Sequence, residues 1–192
     1  MYLIFDTETT GFVKKDVPPN HPSQARVVQL GWALLDEHLN EVAAFSSLVK
    51  PDNGWQISSG AQGVHGISTE MCIRYGLPLV DVIGLFQAAR SNAKVMVAHN
   101  FAFDVQLLAI ELENSKAPKS ATQRAVCTME LMTPICKLPP TGNRSGYKWP
   151  KLAEAYRYVT QKEMQGAHDA LSDVRGCADV LRWLVANRHV EV

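Results

Sequence analysis

The spacing of apolar residues changes character near Ser58, and that change constrains the architecture more than any other feature of the chain. Before it, Tyr2-Leu3-Ile4-Phe5 is a short apolar run ending in Asp6-Thr7-Glu8-Thr9-Thr10-Gly11, the pattern of a buried strand running into a polar turn. Arg26 to Asp36 and Val42 to Val49 flank the polar stretch around Glu37 and His38, which predicts two antiparallel strands and so three strands in meander order. Beyond Ser58, Leu79, Val82, Ile83 and Phe86 fall at helical spacing, as do Val105, Leu108, Ala109 and Leu112. Val95 to Ala98 and Ala125 to Thr128 are short strand candidates among those helices, and strand, helix, strand implies a right-handed parallel crossover. Asp169 is a good N-cap for a last helix carrying Val174, Cys177, Leu181 and Leu184. With 192 residues, 46% of them hydrophobic, the chain can bury one sizeable core, so a single domain over residues 1–192 is expected.

Nineteen basic residues balance nineteen acidic ones, which argues against binding by bulk charge and leaves any nucleic-acid contact to a local patch. One such patch runs from Ser115 to Lys151, where Lys116, Lys119, Arg124, Lys137, Arg144, Lys148 and Lys151 face a single acid, Glu130. It is either a solvated surface or a phosphate-facing rim. No apolar run approaches the ~18 residues of a membrane span. The first charge comes at Asp6, so a soluble cytoplasmic protein without a secretory leader or membrane partner is expected. The four cysteines, Cys72, Cys127, Cys136 and Cys177, are far apart and read as buried reduced thiols. Pro139, Pro140, Gly142, Gly146 and Pro150 mark a surface loop.

The chemistry of the chain lies in its carboxylates. Asp6 and Glu8, two apart at a strand end, share a face and repel each other, a conflict that a divalent cation relieves. After the strand Val95 to Ala98, His99-Asn100-Phe101-Ala102-Phe103-Asp104 sets Asn100 at a helix N-cap and Asp104 about one turn in. In His168-Asp169-Ala170-Leu171-Ser172-Asp173, His168 precedes the last helix and Asp173 lies in its first turns. Four carboxylates from three elements, plus an imidazole suited to proton transfer near neutrality, are what phosphodiester hydrolysis by two metal ions requires.

These three segments, in this order, resemble the motifs of the DEDDh 3′–5′ exonucleases, a family that includes the proofreading epsilon subunit of the bacterial replicase. Val64-His65-Gly66-Ile67 is similar to the family segment that contacts the terminal nucleotide, and His168, five before Asp173, points to the branch with histidine rather than tyrosine. The resemblance implies an α/β, ribonuclease-H-like fold, a five-stranded mixed sheet flanked by helices. It makes Asp6, Glu8, Asp104 and Asp173 ligands of two Mg²⁺ ions, with Mn²⁺ as a substitute, and His168 the general base. Thr9, Gly11, Phe12, Val64, His65, Asn100 and Phe103 then fall where the family holds the 3′ nucleotide. The residue types alone leave core roles open for Phe12 and Phe103 and a plain loop role for His65, while His99 reads as structural and His21, His38 and His189 as exposed.

The implied function is release of 5′-mononucleotides from 3′ ends, with single-stranded or frayed DNA as substrate and a polymerase or replisome as partner. An exoribonuclease of the same family is the alternative, and a non-catalytic accessory module is disfavoured by the complete residue set. The Lys137 to Lys151 segment has no counterpart in the resemblance.

Overall fold

Strand β1 (Tyr2–Thr9) lies at the centre of a five-stranded sheet ordered β3-β2-β1-β4-β5. It pairs antiparallel with β2 (Val27–Leu35), which pairs antiparallel with β3 (Glu41–Leu48). On its other side it runs parallel to β4 (Val95–Ala98), itself parallel to β5 (Arg124–Cys127). The computed structural model describes residues 1–118, 123–142 and 145–191. Lys119 and Arg144 of the basic segment lie outside the described residues. Seven helices complete the order among those described: α1 (Ser59–His65), α2 (Thr69–Tyr75), α3 (Leu79–Ser91), α4 (Phe101–Asn114), α5 (Thr128–Cys136), α6 (Leu152–Thr160) and α7 (Ala170–Ala186). The mixed five-stranded sheet with three antiparallel strands leading is the architecture the sequence implies. None of the helices among the described residues is long and apolar enough to cross a membrane.

The two-residue period of β1 sorts its side chains between two cores. Leu3 and Phe5 join Leu30, Phe86 and Leu107 on the face covered by α3 and α4, and Ile4 joins Val97, Val174, Cys177 and Leu181 on the face covered by α7. By the same alternation Thr7 falls on the α4 side, and Asp6 and Glu8 fall on the α7 side. The strand continues four residues past the apolar run, because Asp6, Thr7 and Glu8 still pair with Gly31, Leu30 and Gln29 of β2. Register shifts only between Glu8 and Thr9. All nine residues of β2 are buried, and a β-carbon at Gly31 would stand 2.7 Å from the backbone of Ala170, so glycine lets the start of α7 cross β2 in contact.

Two sequence expectations shift by a small step with a clear cause. Thr128 opens α5 rather than closing β5. Helix α4 buries Asp104, Leu107, Leu108, Ile110 and Glu111, whereas Val105 and Ala109 of the expected apolar stripe are exposed and line an open cavity of about 700 Å³ with Phe101 and Leu112. The buried stripe carries a carboxylate near each end, so hydropathy selects its apolar neighbour instead.

Candidate active site

β1, β4 and β5 run parallel, so their carboxyl ends share one edge of the sheet, and the three motif segments converge there. Glu8, His168 and Asp173 each place a ligand-capable atom within 4.8 Å of the other two. Asp6 and Asp104 lie in the same field of charge. Burial holds the Asp6 carboxyl well above the usual carboxylate range, and Asp104, Asp173 and Glu8 push it further. Burial, then Asp173 and Asp104, raise Glu8 to about 8. Asp104 is raised to about 7 by burial, against hydrogen bonds from Thr7. Asp173 rises to about 6 through burial, opposed by the backbone N–H and charge of His168. Among the described residues no lysine or arginine forms a salt bridge with any of these four carboxyls. Four acids made reluctant to ionise, with hard oxygen donors and one imidazole, fit a divalent cation, which restores their charged state.

Each acid is held by a different local device. Thr7 donates its backbone N–H at 3.1 Å and its hydroxyl at 2.7 Å to Oδ1 of Asp104, tying α4 to the centre of the sheet. Asn100 starts α4 as expected, but by backbone: its φ is 71°, its side chain makes no capping bond, and its carbonyl accepts from the N–H of Phe103. Seven residues beyond Asp104 on the same helix, fully buried Glu111 accepts from Nε and Nη2 of Arg26 and from the N–H of Val27 at 2.7 Å. Asp173 accepts from the backbone N–H of His168 at 3.2 and 3.4 Å. His168 has φ of 68°, a left-handed conformation uncommon outside glycine, and is exposed.

The start of α7 is anchored to β2 through Gln29. Its Nε2 donates to Asp169 Oδ1 at 2.9 Å, and its Oε1 accepts from the N–H of Ala170 at 3.1 Å. Asp169 caps the helix by accepting from the N–H of Ser172, as expected. Burial alone would raise its carboxyl, but the bonds from Gln29 and Ser172 hold it below the usual range. Sequence reasoning missed Thr7, Gln29, Arg26 and Glu111. The available signal was a polar residue set inside an otherwise apolar strand or helix face.

Around this cluster stand the residues expected to hold a terminal nucleotide. Phe12 is 85% exposed, which removes the core reading, and meets half-buried Phe103 edge to face at 6.2 Å. Val64 is exposed near the end of α1. Thr9 and Gly11 close a tight turn, with the Thr9 hydroxyl donating to Gly11 O at 2.8 Å. His65 lies at 3.2 Å from Thr9 O through Nε2, and its Nδ1 accepts from the N–H of Ile67. Both nitrogens being engaged, His65 ties α1 to the end of β1 rather than offering a free ring to sugar or phosphate. Burial keeps its pKa low, and His168 across the site lowers it further. His99 is structural, bridging Thr128 Oγ1 and Pro150 O at 2.9 Å each. His21, His38 and His189 are exposed, and all four cysteines are free thiols, Cys72 and Cys177 buried as expected but Cys127 and Cys136 only partly so.

The family model RNase_T, described as exonuclease, matches residues 3–181. DNA polymerase III subunit epsilon of Treponema pallidum is 25% identical over 97% of this chain and 77% of its own length. The subunit of the same name from Buchnera aphidicola is 27% identical over 89% of this chain and 67% of its own. Among solved structures, E. coli exonuclease I in complex with a dT13 oligonucleotide superposes with a TM-score of 0.76 at 18% identity, over 95% of this chain. The same enzyme with a dA16 oligonucleotide gives 0.78 at 18%, over 98%. These likenesses establish a shared fold, and the chain spans about two-fifths of the length of the solved chains, 40% and 42%.

Proposed function

The chain belongs to the RNase_T exonuclease family and is a nuclease of that class, and on that premise we propose that it removes 5′-mononucleotides from the 3′ ends of DNA. The observation that carries this reading is the convergence of Asp6, Glu8, Asp104 and Asp173 beside His168, with no lysine or arginine among the described residues in a salt bridge with them. Two divalent cations held by the four carboxylates, Mg²⁺ or in its place Mn²⁺, would supply charge neutralisation at the scissile phosphate and acidify the attacking water.

The chain's own residues do the rest. His168, exposed at the mouth of α7, takes the proton of the attacking water on a ring nitrogen as general base. Its left-handed backbone turns the N–H toward Asp173, which couples the base and an acid in one short segment. Thr7 keeps Asp104 in register with Asp6, and Gln29 keeps the His168 segment against the sheet. The terminal nucleotide occupies the space bounded by Thr9, Gly11, Val64 and Asn100, with Phe12 and Phe103 against its base and His65 fixing one wall.

Single-stranded or frayed DNA is the proposed substrate, one exonuclease domain over residues 1–192 the acting unit, and the cytoplasm its place. A replicative polymerase is the proposed partner, a reading supported by relatives named as polymerase III subunits. The test is a panel of 5′-labelled single-stranded DNA, duplex DNA and RNA, with Mg²⁺ or chelator, resolved by product length. Stepwise shortening of DNA from an open 3′ end, stopped by a 3′ block and by chelation, is expected. Cleavage of circular single strands would make the enzyme an endonuclease, and faster shortening of RNA would make it an exoribonuclease.

A further inference from the structure

Beyond the catalytic cluster, the segment between α5 and α6 presents two aromatic rings to solvent. Trp149 is 65% exposed and Tyr147 50% exposed. An indole left in water carries a large desolvation gain that is realised only when something covers it. The backbone bearing these rings is firmly tethered. The N–H of Lys148 donates to Leu138 O at 3.1 Å, and its ammonium pairs with Glu154 at 2.6 Å. The N–H of Lys151 donates to the second oxygen of Glu154 at 2.7 Å. Between them, buried Pro150 accepts from His99 at 2.9 Å, and His99 sits directly between the end of β4 and the start of α4. Trp149 is therefore an exposed ring on an anchored backbone, at the sheet edge where the carboxylates converge.

The charge around the rings selects one kind of cover. The pairing with Glu154 uses the charge of Lys148, but Lys137 and Lys151 are exposed and in no salt bridge among the described residues. Between Ser115 and Lys151 the only acid is Glu130. Aromatic faces with cations beside them, next to a phosphodiester-cleaving centre, suit the bases and phosphates of one strand. A duplex offers no free base face to such a ring.

We propose that Trp149, with Tyr147 beside it, is a stacking platform for the bases of a single strand upstream of its 3′-terminal nucleotide, a proposal that rests on the nuclease reading above. The platform grips long substrates and leaves a dinucleotide, which ends inside the terminal pocket, unaffected.

The test compares a thymidine dinucleotide with a dodecathymidylate. Trp149→Ala is expected to raise KM for the dodecamer about ten- to a hundredfold, with kcat/KM for the dinucleotide unchanged and Trp149→Phe keeping most of the affinity. Equal effects on both lengths, or none on either, overturn the platform. Tryptophan emission decides the matter independently of turnover. In chelator, dodecathymidylate should quench the wild type more than Trp149→Phe, and identical quenching overturns the proposal. If the wild type cleaves neither substrate, the nuclease reading has failed, and the quenching difference still tests whether Trp149 meets a strand.

Discussion

Replacing Glu111 by alanine should destabilise this protein as much as truncating a large buried apolar side chain, although Glu111 lies away from the candidate site. Its carboxylate is fully buried and receives three bonds from the Arg26 guanidinium at 3.0 to 3.1 Å and one from Val27 N–H at 2.7 Å. The variant leaves Arg26, its side chain 7% exposed, with Asp52 at 3.0 Å as its one charge partner among the described residues, and leaves the Val27 N–H without its acceptor. Breaking a buried ion pair costs about 3–5 kcal/mol, and an orphaned buried amide about 1–3 kcal/mol more. The surviving Asp52 contact offsets part of this, so a loss of about 4 kcal/mol is expected. At about 2–4 °C per kcal/mol for a chain of this length, the melting temperature should fall by about 8–16 °C. Urea unfolding at constant pH measures it, with an unchanged m-value as the check that the transition stays two-state. Arg26→Met combined with Glu111→Leu removes both charges together and should recover most of the loss. A single-variant loss below about 1 kcal/mol would refute the reasoning, and so would a double variant as unstable as the single one. Glu111 lies two turns along α4 from Asp104, so the single variant should also lose kcat at temperatures where it is still folded.

Thr7→Val keeps the shape of a buried side chain but removes the 2.7 Å hydroxyl donor to Asp104, and kcat should fall about tenfold with stability reduced by about 1–2 kcal/mol, read from steady-state rates and urea midpoints. Without divalent ions, Glu8, Asp104 and Asp173 titrate near 8, 7 and 6 in the folded protein, above their ordinary values, so the fold binds the extra protons. That stability is complete below about pH 4 and is lost as pH rises through 6 to 8; the urea midpoint in chelator should fall over this window and recover with Mg²⁺, and a flat profile would contradict the cluster. His168→Ala should lower kcat about 10²–10⁴-fold with KM and the melting temperature nearly unchanged, and a parallel loss of Mg²⁺ affinity by calorimetry would instead make His168 a ligand.

The segments that form the candidate site were legible because their signals are local. Asp6 and Glu8 follow an apolar strand, Asp104 and Asp173 lie in first helical turns, and Asp169 caps its helix, each written in a stretch of about six residues. The three-strand meander was legible for the same reason, since period and turn chemistry act between neighbours, whereas the place of β4 beside β1 came with the family resemblance. Tertiary structure decided which face of α4 is buried, because the stripe through Asp104 and Glu111 is apolar only in its middle and its carboxylates find partners on β1 and β2, far away in sequence. It decided that Phe12 stands in solvent, that both His65 nitrogens are engaged, and that Lys148 is in a salt bridge with Glu154 while Lys137 and Lys151 are in none among the described residues. It alone made the acids a site: burial and mutual repulsion raise their pKa values only once three segments meet at one sheet edge, since an isolated carboxylate in a hydrated chain pays neither desolvation nor repulsion.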